Sequence, residues 1–527
     1  MRYLVELTVI DPVTVLPKKL FWTSGDRMFP FLPDDPDRPN QFYDAVIKDV
    51  NGISAHMFSP QKISGNSTFS SGVIEVNNTE GALDYLYTYG FTLQKIEVYF
   101  GEGIQFSNYT KYISGVMDMP IFRFSITEMG DFTIPVRSSK KIFDKPLQTE
   151  YYLGTNSGAT GVEGNSDSTI KNTLKPIALG EFQNISPVMV NSSAHKYQYS
   201  TGVSEGVTYV YGNGSSIPLT VTNPPPAGYA YDDKTLSIIT LGTAPTGSET
   251  ITCTGKGKKF GSTYHNTVGA LIKNALLTYL NFTNDMLDLP AFTQMETDAP
   301  YQVQIYVSNE KAPESVNDKT TSIANIFDSL VNSVGGYWMF TQAGKFTLGV
   351  LRAPEERTDD PVYTFAYEID IIDLTLLQSS EDDKGIPLSK LRLFGARNYT
   401  VLTAIAGAVD EDRKQWLEKD YREVVKTFDD NNTIYNADPF ELQVKTQLVS
   451  MADCETEAIR QMNIRKIPRQ LFSLICAMEI LPGELFINSL ITVIAPRLGL
   501  SSGKQFIVTG ITYNEPSIHL ASLEIWG

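Results

Sequence analysis

A β-rich α+β protein of several units is what this sequence predicts, and three observations carry the prediction. Short runs of β-branched and aromatic residues, separated by Gly, Pro, Asn and Asp, fill most of the chain up to Pro146 and return from Leu471 to Ile525. Apolar residues take up a clear helical period at few places, chiefly 266–280 and 322–334. With 527 residues the chain is too long for one core and divides into roughly three or four domains of ~100–200 residues each.

Taken in order, the first unit is expected to hold strands at Tyr3–Ile10, Leu20–Thr23, Val73–Val76, Lys95–Phe100, Thr110–Met119 and Phe122–Ile134, spaced as in a barrel or sandwich. Residues 30–41, PFLPDDPDRPNQ, combine four prolines with four Asp/Arg charges and read as a loop, either for contact or as a surface excursion. Residues 72–103, GVIEVNNTEGALDYLYTYGFTLQKIEVYFGEG, read as strand, Asn/Gly turn, short helix and second strand. Val73, Ile74 and Val76 favour extension, Asn77 and Asn78 suit the turn, Gly81 relieves the backbone before Leu83, and Gly90 closes the helix. The Gly/Ser/Thr/Asn-rich stretch 154–173 has little to bury and reads as a linker or long loop. From Lys175 to about Gly261 short Val/Tyr/Thr strands, broken at Asn213-Gly214 and Pro224-Pro225-Pro226, suggest a small inserted β subdomain.

At Asn266–Leu280, Val268, Leu271, Ile272, Ala275, Leu276 and Tyr279 share one helical face. A second helix is expected at Ser322–Val334, ended by Gly335-Gly336, and YWMFTQAGKFTLGVL follows as a hairpin turning at Gln342-Ala343-Gly344. These three form a helix-hairpin α+β unit. SSEDDKG (379–385) is a charged break before a strand at Leu388–Leu393. Residues 411–428 carry Leu417, Tyr421, Val424, Val425 and Phe428 at helical intervals, and Asp453 is positioned to cap a helix at Glu455–Ile467 before Pro468. Strands then return at Leu471–Ile480, Leu490–Ala495, Gln505–Tyr513 and Ile518–Ile525. The expected domains are therefore 1–145, 146–265, 266–360 and 361–527.

Composition narrows the function. Hydrophobic residues at 42% and a mean hydropathy of -0.14 describe a globular chain, and no run approaches the ~18 apolar residues of a membrane span. MRYLVELTVIDP meets Glu6 and Asp11 too soon for a signal-peptide core, so export by the usual route is not expected. Cys253, Cys454 and Cys476 cannot all pair and suit a reducing cytosol. A formal charge of -17, from 43 basic and 60 acidic residues, argues against a nucleic-acid-binding surface. His56, His195, His265 and His519 lack metal-ligand spacing and read as surface or satisfied structural residues, and the carboxylates of 379–385 lack the alternation of a calcium loop. Lys256-Gly257-Lys258-Lys259 lacks P-loop spacing, and no G-x-S-x-G elbow appears. No catalytic residue, cofactor or metal is expected, and no internal repeat of a β-helical tailspike or low-complexity fibre tract is visible.

Four segments resemble one family. Asn78, Gly81, Leu83 and Asp84 in NTEGALDYL, with the order of elements around them, resemble the NTDGxLD segment of hub proteins of bacteriophage tail tips and baseplates. Arg497, Gly499, Gly503 and Trp526-Gly527 fall where those proteins carry an RFGL…G…FRV…LTLWG ending. KPIALGEFQNISPVMVN (Lys175 to Asn191) is similar to their KPxxxGxxxNxxPxxV region, and the helix at Val268–Ile272 with the hairpin around Gly335-Gly336-Tyr337-Trp338 is a fourth match. The resemblance implies a nonenzymatic virion structural protein with two barrel-like hub domains, the first from about 1–145 and the second from about 361–410 with the C-terminal strands. It implies a homotrimer whose ring joins a sixfold tail tube to a threefold tip around the DNA-ejection channel, assembled in the host bacterial cytoplasm. The implied partners are distal tail or tube-end proteins, central fibre or tip proteins and the tape-measure protein. Viral DNA would pass without specific binding, repelled by acidic walls if these line the channel, the alternative being that the negative charge only gives solubility. On this reading Gly81→Val damages folding or ring assembly, not a reaction. The alternatives are a tail-tip carbohydrate-binding or carbohydrate-degrading protein, with 27 Tyr and 27 Phe as stacking platforms, and a secretion-system spike hub.

Overall fold

The computed structural model describes residues 2–25, 29–60, 62–69, 72–124, 129–137, 139–154, 170–308, 321–377, 387–428, 430, 441–481, 485–514 and 520–527. The expected linker lies mostly outside these, and the charged break at 379–385 and His519 lie wholly outside.

Seven strands close a barrel in the order Met129–Arg137, Gly72–Val76, Phe42–Asn51, Pro17–Ser24, Arg2–Ile10, Lys95–Gly101, Tyr109–Met117 and back to Met129–Arg137. Closure follows from period-two patterning. Tyr3, Val5, Leu7 and Val9 point inward with Trp22, Ile74, Val98 and Phe132, while Leu4 and Glu6 point outward. The outward pair is buried as well, because the proline-rich loop folds over it and sets Phe31 among Tyr43, Tyr99 and Tyr109.

A second sheet follows the path Tyr363–Ala366, Leu490–Ile494, Lys504–Asn514, Leu520–Trp526, Leu471–Ala477, Ile371–Leu376. Its first and last strands are joined by residues 367–370, so the sheet curls back on itself. No ladder joins those two strands among the described residues, which leaves a half-barrel. Strand Ile53–His56 leaves the barrel side and pairs with Lys504–Asn514, and the Tyr3 hydroxyl meets Met478 Sδ at 3.8 Å. One hydrophobic cluster runs through barrel and half-barrel.

The segment 177–260 folds as two sheets facing each other across Phe182, Val210, Ile239 and Cys253. Strand Ile177–Ile185 also pairs with Gln304–Val307, tying this sandwich to a helical unit. There, helices Val268–Tyr279 and Ile323–Asn332 and the hairpin Gly336–Phe340/Phe346–Val350 enclose a second core. Phe143, from the segment that leaves the barrel, is packed among Trp338, Phe327 and Phe346.

Four local expectations are corrected. Residues 411–428 form a short helix, Glu411–Leu417, capped by Asp410, and then a strand, Arg422–Thr427, because Val424 and Val425 lie on a ladder against Arg392 and Leu393. Lys390–Gly395 pairs with that strand and with Glu441–Lys445 instead of joining the half-barrel, since Leu391, Leu393 and Val424 are buried in the second core. The late helix is Met451–Arg465, capped by the Ser450 hydroxyl and not by Asp453. A helix at Leu289–Asp298, with Pro290 in its first turn, was not expected from the sequence.

Candidate assembly sites

Asn78, Gly81, Leu83 and Asp84 meet in one corner. The Asn78 side chain is buried; its amide donates to Asp84 Oδ1 at 2.8 Å and its carbonyl oxygen accepts the Leu83 N–H at 2.8 Å. The Gly81 N–H donates to the Asn78 carbonyl at 2.8 Å with φ at +72°, and a Cβ there would stand 3.1 Å from Asp84 Oδ2. The corner is a polar knot that turns the chain from Gly72–Val76 into the 3₁₀ turn Asp84–Thr88.

Arg497, Gly499, Gly503 and Trp526 lie in the half-barrel, not in that corner. Arg497 and Gly499 are exposed in the turn after Leu490–Ile494, where Gly499 (φ +77°) and Gly503 (φ +83°) take the left-handed conformation. Trp526 is fully buried, pairs with Leu471 and Ile507, and lies under the Arg469 guanidinium at 4.8 Å. Gly527 exchanges two backbone hydrogen bonds with Gln470. The two sets of signature residues therefore shape two different sheets.

Among the described residues, no group of three His, Cys, Asp or Glu is arranged to hold a metal. All three cysteines are buried and unpaired. Lys256-Gly257-Lys258-Lys259 lies inside the strand Ile251–Phe260, without the following helix of a phosphate loop. His56 is mostly buried beside Gly510, with Nδ1 lacking a hydrogen-bond partner among the described residues, so burial pushes its basicity down. His195 Nδ1 lies 2.9 Å from the Ser192 carbonyl, and His265 lies against Phe260.

A cleft of about 770 Å³ separates the barrel, the helical unit and the half-barrel. Arg352–Asp298 and Arg357–Asp359 pair across its wall, and the Arg357 guanidinium also donates to Asn488. These ion pairs tie the cleft's walls together, while Asp288 accepts the Thr347 hydroxyl at 2.9 Å.

Sequence reading passed over a different surface. The turn 11–16 between the first two strands presents Val13, Val15 and Leu16 to solvent, beside exposed Tyr85, Tyr87 and Leu93. The signal was there: Val-Thr-Val-Leu stands between Pro12 and Pro17, where a turn is ordinarily polar.

No family model matches the sequence, and none of the curated proteins matches it. Among solved structures, the tail protein from Neisseria meningitidis MC58 aligns with 99% of this chain and 96% of its own, at 8% identity and a TM-score of 0.42. The prophage tail protein gp18 from Listeria monocytogenes EGD-e aligns with 98% of this chain and 94% of its own, at 9% identity and 0.38. The E. coli c3393 protein, a component of the type VI secretion system with structural similarity to T4 bacteriophage tail proteins gp27 and gp5, aligns with 95% of this chain and 76% of its own, at 8% identity and 0.33.

Proposed function

We propose that this chain is the structural hub of a bacteriophage tail tip or baseplate, a nonenzymatic homotrimer whose ring joins a sixfold tail tube to a threefold tip around the DNA-ejection channel. One observation carries the reading: a single chain holds a closed barrel and a curled half-barrel, fused through one core. Three copies would then offer six barrel-like modules on a threefold ring, which is what a symmetry adaptor needs. The signature residues support it by standing one set in each module. Tube-end proteins on one side, tip or central-fibre proteins on the other and the tape-measure protein within are the partners this role requires. The place of action is the virion tail, after assembly in the bacterial cytoplasm, a compartment that suits unpaired cysteines. Cryo-electron microscopy of the purified protein or particle should show three copies around a channel. A stable monomer at assembly concentrations would overturn the reading.

A second reading, a carbohydrate-binding tail-tip protein, is favoured by one feature. Tyr209 is half-exposed and stacks on Tyr211 at 6.0 Å, with the Arg413 guanidinium 3.9 Å from the second ring. Glycan binding by the whole protein, abolished by Tyr209→Ala, would establish it; a blank glycan array removes it.

A further inference from the structure

The cleft of about 770 Å³ holds one charge that the chain does not neutralise. Of the charged side chains on its walls, Arg352 pairs with Asp298, Arg357 with Asp359 and Lys111 with Glu97. Asp288 is left over. Its carboxylate accepts the Thr347 hydroxyl and, among the described residues, joins no ion pair. Nor is it spent on the helix Leu289–Asp298, which it precedes, since its side chain accepts no N–H of the first turn. Tyr337 lines the same cleft, 4% exposed, and its hydroxyl has no hydrogen-bond partner among the described residues. A Cβ on Gly349 would stand 2.8 Å from that oxygen, so glycine is what lets the ring lie across the hairpin. Burial above all pushes the hydroxyl's pKa up and keeps it neutral.

The cleft also meets backbone. Leu348 and Val350 line it although their side chains are buried in the core of the helical unit, so it is their main chain that faces the cleft. The Thr341 N–H donates to the Lys345 carbonyl at 2.8 Å, and in an antiparallel hairpin that makes Met339/Thr347 and Tyr337/Gly349 the hydrogen-bonded pairs. Phe346, Leu348 and Val350 therefore turn their N–H and C=O groups away from Gly336–Phe340. Past Phe346, whose carbonyl accepts the Asp288 N–H at 2.9 Å, no further strand joins this edge among the described residues.

We propose that the cleft takes an extended segment of a different protein, laid along the Leu348–Val350 edge with a lysine or arginine side chain on Asp288 and Tyr337. An open edge supplies main-chain affinity, and the pocket beside it supplies the choice of side chain. A carboxylate and a neutral hydroxyl together accept from an ammonium or guanidinium, which carries donors only. A chain of charge -17 also favours a basic partner over a second acidic copy of itself. The inference stands apart from the ring, and its failure leaves that reading intact.

The full chain is probed with immobilised random peptides of about ten residues, fixed at the centre as Arg, Lys or Gln. Retention by the Arg or Lys set should exceed that by the Gln set about tenfold, and Asp288→Asn should remove the difference without moving the melting temperature. Tyr337→Phe, which deletes only the hydroxyl, should reduce it a few fold. N-acetyl-arginine amide, the same cation without an extended chain, should not compete. With the best-retained peptide bound, the amides of Leu348 and Val350 should exchange hydrogen more slowly. Equal retention of the three sets, or retention untouched by Asp288→Asn, would overturn the site. Competition by the arginine amide at the peptide's own concentration would make it a site for a small cation and sink the peptide, as would unchanged exchange at Leu348 and Val350.

Discussion

Glu6 shows how a single charge is made tolerable on a barrel wall. It faces outward from Arg2–Ile10 and is still 6% exposed, because the proline-rich loop covers it. The Arg38 guanidinium grips both carboxylate oxygens at 2.7 and 2.9 Å, and the Tyr43 hydroxyl donates at 2.6 Å. Arg38→Ala would strand the carboxylate and should cost about 3 kcal/mol in urea unfolding, whereas Glu6→Gln with Arg38→Met should recover most of that. The same loop is pinned by Asp35. Burial pushes its carboxyl up, but the N–H groups of Phe106 (2.6 Å), Arg38 (2.7 Å) and Asp37 (2.9 Å) outweigh that and hold it below the usual carboxylate range. A depressed folded value contributes stability that is complete above the unfolded aspartate's pKa, about 4, and is lost as pH falls through the folded value. The melting temperature of the wild type should therefore drop more steeply than that of Asp35→Asn as pH falls from about 5 to 3.

At the scale of elements, a hairpin tip adds a docking point for the sandwich beside the Ile177–Ile185 pairing and the Asn184 side chain on Asn398 and Thr400. Asn213 (φ +47°) and Gly214 (φ +82°) make the two-residue turn between Ser204–Gly212 and Ser215–Ile217. The Asn213 carbonyl accepts the Ala406 N–H at 2.9 Å, and a Cβ on Gly214 would stand 2.7 Å from Leu417 Cδ1. Gly214→Val combines a left-handed penalty with overpacking and should cost about 2–3 kcal/mol. The expected readout is faster limited proteolysis around 396–420 with an unchanged melt of the barrel; unchanged digestion would mean the tip does not hold the sandwich. The tip was visible in the sequence as Asn213-Gly214, but its socket was not, because Leu402, Val409 and Leu417 form a small cluster only after the chain folds back. The same limit explains the other differences. Strands such as Leu471–Ala477 were legible because their alternation is local, whereas the order of strands in the half-barrel depends on partners far along the chain. The 411–428 segment satisfied a helical period by coincidence, and pairing with Lys390–Gly395 decided its second half. Leu289–Asp298 escaped notice because it buries only Phe292 and Met295, too narrow a stripe to set a period. Of the signature residues, Asn78, Gly81, Leu83 and Asp84 could be read as one turn, while nothing local revealed that Trp526 lies on an interior strand of a different sheet.

Across the whole molecule, two cores are bridged by the strand Gly336–Phe340, whose side chains alternate between them, and clamped by a helix. Met451–Arg465 contributes Cys454, Ala458 and Met462 to the core of the helical unit and Ile464 to the core shared by barrel and half-barrel. Its polar side chains reach outward from the same turns. Arg460 donates to the carbonyls of Leu351 (3.0 Å) and Val334 (2.8 Å), and Arg465 donates to Ile63 across the chain at 3.2 Å. Glu457, fully buried, holds the Arg460 guanidinium at 2.7 and 2.9 Å and accepts from Gln461 at 2.7 Å. Because barrel and half-barrel share one cluster, they should melt together, and the clamp should make the helical unit melt with them. Arg460→Met removes the carbonyl contacts and leaves the buried Glu457 without its cation, at an expected cost of about 3 kcal/mol. Scanning calorimetry should then show the single main transition of the wild type split in two, the earlier one carrying the loss of near-ultraviolet signal from Trp338. One transition at an unchanged midpoint would mean that the two cores are coupled through the strand Gly336–Phe340, which places Tyr337 and Met339 in one and Trp338 and Phe340 in the other, and not through this helix.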